Sequence, residues 1–373
     1  MKILFVCKTG SQTSETGEGT QSRETAAALS EMGHEVVKAF VSPDPFSAVD
    51  STGSPVSESG LKALSDSCDV VHLMPATRKL AGFWRRLGSC TPVAGSTVFW
   101  SGWERLGVTR LSVPFGFSRI RREITYLRMM ASALQDFRGI RLFLPNTHDE
   151  GTRVAACFRH DPEAGFFPVP NAFRIPPFAV QDLPRPTFVP KDGEYMVVPG
   201  IFALRKNQLT LIRALKATRP DIPVVFIGGC FDAPLDRKYF ARCKAEAAPA
   251  MSFAGFVPSS SREYWGALRH ARCACLPSDC ETPGIALLEA AYAGARPVAT
   301  RFGGTKEYFG FDGEYFHPCR PDEIADAIGR AWRRGRLGAC SAAAYSRFSW
   351  KYCAELTVQA YETLLAGGTR RPA

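Results

Sequence analysis

Short apolar runs recur along the chain in two series. KILFVC, EVVKAFV, DVVHLM, STVFW and RLFLPN occupy the first part, and YMVVPG, PVVFIGG, SFAGFV, CACLP and PVAT the second. Each run is continuous rather than alternating, and helical or loop-rich stretches separate them, as parallel strands covered on both faces require. Near Phe173 the composition turns to proline, and RIPPFAVQDLPRPTFVP reads as a semi-rigid linker that stops any helix from running through. The pattern predicts an α/β protein of two Rossmann-like domains with a cleft between them.

Candidate chemistry concentrates in the second series. The segment ETPGIALLE, Glu281 to Glu289, follows the strand-like CACLP and opens an alanine-rich helix, so two carboxylates flank a helix start at a strand's end, where open α/β sheets bind ligands. Pro283 suits the first helical position, and the amides of Gly284 and Ile285 would then face outward at the positive end of the helix dipole, a cradle for phosphate. Glu281 lies in the loop, with Glu289 about one and a half turns inside the helix and leaning back toward its start. A glutamate pair at this spacing is equally what a solvated helix face carries, and its neighbours shift the balance. YMVVPG ends in Gly200, and the following IFALRKNQLTLIRAL puts Arg205 and Lys206 in the turn before an amphipathic helix, as cations that can hold a diphosphate. After PVAT, Gly303 and Gly304 permit close backbone approach to a ligand, and Thr305 is placed to cap the next turn.

Taken together, GEGTQSRETAAALSEMGHEV, LPNTHDE, PVPNAF, RKNQ, FAGFVP, ETPGIALLEAAYAGARPV and FSWKYCAELTVQAYETLL resemble the family 4 glycosyltransferases, retaining enzymes of the GT-B fold. The resemblance spans nearly the whole chain. It implies two Rossmann-like domains whose parallel sheets face an interdomain cleft: an acceptor-side domain, 1–172, joined by a C-terminal helix at about 350–366, and a nucleotide-sugar donor domain, 173–349. It implies that Glu281 contacts the donor sugar, Glu289 the ribose and Lys206 the diphosphate, with Lys206 and Glu281 carrying catalysis. Val257, Pro283, Gly284 and Ile285 join them as donor-binding positions, and Gly19 approaches the phosphates from across the cleft. Many relatives carry arginine directly after the glycine that ends the first strand of the donor domain. Here that position is Ile201, and Arg205 is the candidate replacement. The implied activity is transfer of a sugar from a nucleotide diphosphate sugar to a glycan or glycolipid acceptor in surface polysaccharide or glycolipid synthesis. It needs neither a cofactor nor a metal, and the chain has no DxD motif to hold one against a diphosphate. A nucleotide-sugar epimerase on the same fold, or a binding scaffold without turnover, are the competing readings.

The first domain says less about chemistry. Gly17 and Gly19 precede a helix that ends near Gly33, but the GxGxxG fingerprint of a dinucleotide site is absent. His72 and His148 are the acid/base candidates, though each suits a structural role better, since strands often carry a satisfied histidine and neither has a partner identifiable from sequence. Relatives often place a histidine after the strand that reads STVFW here; this chain has Trp100 and Ser101, so no general base is assigned.

Composition fits two cores of ordinary domain size in 373 residues with 45% hydrophobic content. KILFVC is too short for a signal-peptide core and no run is long enough to span a bilayer, so a cytoplasmic protein is expected. Twelve scattered cysteines without a CxxC pair read as buried thiols. The net charge of +10 is densest from Arg78 to Arg141, where Arg78, Lys79, Arg85, Arg86, Arg105, Arg110, Arg119, Arg121, Arg122, Arg128, Arg138 and Arg141 face only Glu104, Glu123 and Asp136. Leu80, Phe83, Trp84 and Leu87 add an apolar stripe. The strip is either a solvated helix face or a surface for reversible docking on anionic lipid at the inner membrane face. No recognition motif supports nucleic acid.

Overall fold

A computed structural model describes residues 1–9, 11, 17–98, 137–157 and 165–367. These divide into two compact units: residues up to Ala172 with those from Trp350 onward, and Phe173–Ser349.

In the first unit the chain runs β1 (Lys2–Lys8), α1 (Gly17–Glu31), β2 (Glu35–Pro43), β3 (Phe46–Asp50), α2 (Glu58–Asp66), β4 (Val70–Met74), α3 (Arg78–Leu87), β5 (Val93–Ser96), β6 (Leu142–Leu144), α4 (His148–Cys157) and β7 (Gly165–Phe166). The seven strands lie in the order β3-β2-β1-β4-β5-β6-β7. All pair in parallel except β3, which returns antiparallel on β2. Asp44 and Pro45 form the connection, and a link of two residues can join only antiparallel neighbours. The other six strands are parallel, as the continuous apolar runs imply. The run STVFW shifts: its strand is Val93–Ser96, in register with Val71 and Leu142, while Val98 beyond it is exposed.

Alternate residues of β1 and β4 serve opposite faces. Leu4, Val6, Val71 and Leu73 join one core with Leu80, Phe83 and Trp84 of α3. On the opposite side His72 meets the ring of Phe5 edge-on at 5.0 Å.

The second unit runs β8 (Met196–Pro199), α5 (Gln208–Thr218), β9 (Val224–Ile227), α6 (Pro234–Glu246), β10 (Met251–Gly255), α7 (Arg262–His270), β11 (Cys273–Leu276), α8 (Ile285–Tyr292), β12 (Arg296–Thr300), α9 (Thr305–Phe309), β13 (Glu314–Phe316), α10 (Pro321–Arg334) and α11 (Ala339–Ala344). Its six strands are all parallel in the order β10-β9-β8-β11-β12-β13, so sequence order reverses between β8 and β11. Val197, Val225, Ala274 and Leu276 face one core with α7 and α8, and Met196, Val198, Val224, Phe226, Cys273 and Cys275 face the other with α5, α6 and α10. The continuous apolar runs therefore report burial on both faces. The proline-rich segment is no free linker, because Phe173, Val180, Leu183 and Val189 are buried in the first of these cores. Its apolar residues gain more from burial than an extended spacer would in water.

A last helix, α12 (Trp350–Leu365), belongs to the first unit. There Cys353 lies 3.8 Å from Thr25 of α1, and the Tyr361 hydroxyl is 2.6 Å from Nδ1 of His72. Among the described residues no helix is long and apolar enough to cross a membrane.

Candidate active site

The sequence reversal between β8 and β11 is the place in an open α/β sheet where adjacent loops diverge and leave a crevice at the strands' carboxyl ends. Lys206 comes from the turn after β8 and Glu281 from the loop after β11, and they meet there. Lys206 Nζ donates to Glu281 Oε1 at 2.5 Å, and the Ser278 hydroxyl donates to the same oxygen at 2.5 Å. The side chains are 16% and 8% exposed, so the pair is shielded from water yet reachable. Glu281 Oε2 has no hydrogen bond within the described residues.

Asn207 locks these loops together, and the sequence reading missed it. It adopts φ 58°, ψ 22°, the left-handed region that asparagine tolerates better than most residues, and so ends the turn carrying Lys206 and begins α5. Its Nδ2 donates to the carbonyls of Pro277 and Pro318 at 3.0 and 2.9 Å, bridging the loops after β11 and β13, while Oδ1 accepts from the Thr210 hydroxyl at 2.6 Å. The signal was present as an asparagine directly before a helical run, but which carbonyls it would reach is a tertiary matter.

The loop from Glu281 differs from its sequence reading. Pro283 does not open the helix: Gly284, at φ +82°, caps it, and α8 starts at Ile285. The φ of Gly284 lies in the left-handed region that favours glycine, and a Cβ there would also press Leu276 Cδ1 at 2.5 Å. The amides of Ile285 and Ala286 make no hydrogen bond within the described residues, as expected for the first turn of a helix. Gly303 also plays another part. A Cβ there would lie 2.0 Å from the Glu281 carbonyl, so the glycine admits the protein's own backbone rather than a ligand's approach. The Gly304 amide then donates to that carbonyl at 3.0 Å. Thr305 does not cap: it is the first residue of α9, buried, with its hydroxyl on the Thr300 carbonyl at 2.7 Å.

Glu289 sits four residues into α8 and is 7% exposed. Tyr264 of α7 donates to its Oε2 at 2.6 Å. Burial pushes the carboxyl up to about 7, against the pull of that hydrogen bond. Arg205 is exposed, and its carbonyl accepts from the Asp279 amide at 3.0 Å. Val257 and Ile285 are half-buried at the edge of the core that contains Tyr264 and Leu287. Arg205, Lys206, Val257, Glu281, Pro283, Gly284, Ile285 and Glu289 thus all lie in the second unit, in the loops and first turns that follow β8, β10 and β11.

Gly19 belongs to the first unit and lies inside the first turn of α1, not in a loop before it, because that helix begins at Gly17. His72 is fully buried, with Nδ1 2.6 Å from the Tyr361 hydroxyl and Nε2 2.8 Å from that of Ser96. Burial alone drives it down to about 3, so it is a neutral structural group and not an acid or base. His148 is exposed at the start of α4. Two residues on, Glu150 is fully buried, with Oε1 accepting from the Thr97 hydroxyl at 2.8 Å and Oε2 from the Asn146 amide at 2.9 Å. Its own amide donates to the Thr147 hydroxyl at 3.1 Å, so the motif LPNTHDE is a helix cap.

The apolar stripe assigned to lipid is not available to it, since Leu80, Phe83 and Trp84 are buried in the first unit's core. Arg85, Arg86, Arg138 and Arg141 are exposed, whereas Trp100, Ser101, Arg105, Arg110, Arg119, Arg121, Arg122 and Arg128 lie outside the described residues. The cysteines divide. Cys7, Cys68, Cys243, Cys273, Cys275 and Cys353 are buried thiols, but Cys90 and Cys340 are exposed. Among the described residues no group of three or more His, Cys, Asp or Glu side chains is arranged to hold a metal ion.

Residues 180–339 match the family described as glycosyl transferases group 1. No curated protein matches the chain. Several solved structures share its fold. A sucrose-phosphate synthase from Thermosynechococcus elongatus is 16% identical with a TM-score of 0.70, covering 99% of this chain and 100% of its own. Anabaena HepE in complex with UDP-glucose is 16% identical with a TM-score of 0.67, covering 98% and 100%. A glycosyltransferase from Rickettsia africae is 13% identical with a TM-score of 0.68, covering 98% of each chain. The chain accordingly has the GT-B fold, and its segment 180–339, which contains Lys206, Glu281 and Glu289, matches the glycosyl transferases group 1.

Proposed function

We propose that this chain is a retaining glycosyltransferase of the family 4 type, which moves a sugar from a nucleotide diphosphate sugar to a glycan or glycolipid acceptor in surface polysaccharide or glycolipid synthesis. The observation that carries this reading is the polar capacity left open in the second unit among the described residues: the Lys206 donors not given to Glu281, the Ile285 and Ala286 amides, and one oxygen on each of Glu281 and Glu289. A nucleotide diphosphate sugar offers the complement, an anion flanked by two sets of hydroxyls. The group 1 match over this segment supports the reading, as does the fold shared with a protein solved with UDP-glucose.

In this reading Lys206 and the first amides of α8 hold the diphosphate, Glu281 accepts from sugar hydroxyls, and Glu289 accepts from the ribose. The acceptor hydroxyl attacks the anomeric carbon on the face from which the diphosphate departs. The anomeric C–O bond to phosphate breaks, the new glycosidic bond forms on that same face, and the acceptor's proton passes to the leaving phosphate oxygen. Charge develops on the departing diphosphate, where Lys206, Arg205 and the helix amides supply positive potential, and the route asks for no metal ion. The exposed Arg85, Arg86, Arg138 and Arg141, which with the exposed Arg78 and Lys79 make up the described part of a basic surface, would meet anionic lipid at the cytoplasmic membrane face and bring a lipid-linked acceptor close. Unchanged co-sedimentation with anionic liposomes after all four are replaced would remove them from that role.

The test is incubation of the purified protein with UDP-, GDP-, ADP- and TDP-sugars, following diphosphate release and the anomeric configuration of the product by NMR. Release of one nucleoside diphosphate with retained configuration is the expected result. Inverted product, or a changed nucleotide sugar with no diphosphate released, would overturn it.

A further inference from the structure

The polar partner of Glu289 is a residue that no motif pointed to. Tyr264 is the third residue of α7, where the Ser261 hydroxyl caps its amide at 3.1 Å. That cap and the edge-on contact of its ring with Trp265 at 6.1 Å fix the side chain within the core. Its hydroxyl, 2.6 Å from Glu289 Oε2, occupies one carboxylate oxygen and leaves Oε1 without a hydrogen bond within the described residues.

We propose that Tyr264 is a positioning residue for donor binding: by holding Oε2 it orients the Glu289 carboxylate, so that Oε1 is presented to the ribose hydroxyls of the nucleotide. This rests on the assignment of Glu289 to the ribose given above. A carboxylate buried among Leu287, Leu288 and Ala290 has little to favour its charge except a donor, and Tyr264 is the donor present.

Among the described residues, the surroundings leave that control to Tyr264. From β11, Cys273 and Cys275 face the opposite core, and from β12, Arg296 directs its guanidinium to the carbonyls of Gly335, Asp312 and Arg336. From α7, Arg262 and Glu263 are exposed, Arg269 and His270 lie in the last turn, and His270 is bonded to the Leu183 carbonyl. Cys340 of α11 is exposed, and Tyr345 after it bonds to Asp312. Burial pushes Glu289 upward and only the Tyr264 hydroxyl opposes it.

The experiment is calorimetric titration of wild type, Tyr264→Phe and Glu289→Gln with UDP, ADP and GDP, each beside its 2′-deoxy counterpart, from pH 5.5 to 9. Tyr264→Phe retains the ring and so the packing, and its thermal midpoint is measured alongside. The ribonucleotide that binds wild type should bind Tyr264→Phe about tenfold more weakly at pH 6, because the affinity profile moves to higher pH by roughly one unit. At pH 9 the two should agree within about twofold, since both carboxylates are then ionised. A purely structural role would instead lower affinity equally at every pH. Glu289→Gln should bind more weakly than wild type, with the pH dependence flattened and less preference for ribose over 2′-deoxyribose. If Glu289→Gln shows these losses while Tyr264→Phe keeps the wild-type pH profile, the positioning role is overturned and the ribose assignment stands. If Glu289→Gln binds as wild type does, with the same ribose preference, the assignment falls and the role of Tyr264 falls with it.

Discussion

Both units bury acidic groups beside the ends of their strands, but they treat them differently. In the first, Glu150 commits both carboxylate oxygens, one to Thr97 and one to Asn146, and His72 commits both ring nitrogens to Tyr361 and Ser96. In the second, Glu281 and Glu289 each commit one oxygen and leave the other without a partner among the described residues, on a loop and helix whose first amides, at Ile285 and Ala286, are likewise open there. Burial and a displaced pKa occur on both sides, in His72 as in Glu289, and so do not distinguish a site from a structural tie. Hydrogen-bonding capacity left over after folding does, because a buried polar group without a partner is costly and persists where a ligand completes it.

The contrast is broken most severely at His72. His72→Ala strands two buried hydroxyls, each at about 1 to 3 kcal/mol, so stability should drop by roughly 2 to 6 kcal/mol in urea unfolding while nucleoside diphosphate affinity of the folded protein is unchanged. A loss of affinity without loss of stability would place His72 in the site and collapse the distinction.

Lys206→Ala should do the reverse. Losing a preorganised charge at a leaving group typically costs ~2.7 to 4 kcal/mol, so turnover should fall on the order of a hundredfold or more with little change in unfolding midpoint. Wild-type turnover in this variant would show that the ion pair with Glu281 is structural, like Glu150.

The pH dependence of stability should separate the two regions with opposite signs. His72 titrates at about 3 when folded against 6.5 unfolded, so the unfolded chain binds the proton first and stability falls as pH drops through that window. Glu289 titrates at about 7 when folded against 4.5 unfolded, so its contribution is present below 4.5 and is lost as pH rises to about 7. Glu289→Gln should remove the second slope and gain on the order of 1 to 3 kcal/mol at pH 8, with the acid slope retained. Parallel stability curves for the variant and wild type across pH 4.5 to 8 would contradict this.

Arg205→Ala should have the smallest effect, below about tenfold in turnover, since the side chain is exposed and screened. Combined with Lys206→Ala it should be less than additive, because both act on one diphosphate. Strict additivity would separate Arg205 from the clamp.

Much of this contrast was legible in sequence in the second unit and little of it in the first. Continuous apolar runs gave most strands of both sheets, since burial on both faces leaves no polar alternation to obscure them, but they missed the short or edge strands β3, β7 and β13 and misplaced β5. ETPGIALLE and RKNQ announced cations and carboxylates near a helix start, because those residues sit within a few positions of the strand that places them. The cap at Gly284, the clamp by Asn207 and the bond from Tyr264 did not announce themselves. Each depends on what a loop meets across the sheet: Leu276 against Gly284, Pro277 and Pro318 against Asn207, and Glu289 against a residue 25 positions away. His72 was undecidable for the same reason, its partner Tyr361 being 289 positions on.

Amide hydrogen exchange with and without a saturating nucleoside diphosphate examines the leftover capacity itself, taking UDP, GDP and ADP in turn. Slowed exchange at Ile285 and Ala286 and across 204–207, with the amides of Asn146 and Glu150 unchanged, is the predicted result. Binding that leaves exchange at Ile285 and Ala286 untouched, or that protects Asn146 and Glu150 instead, would contradict the assignment of the donor site to the second sheet.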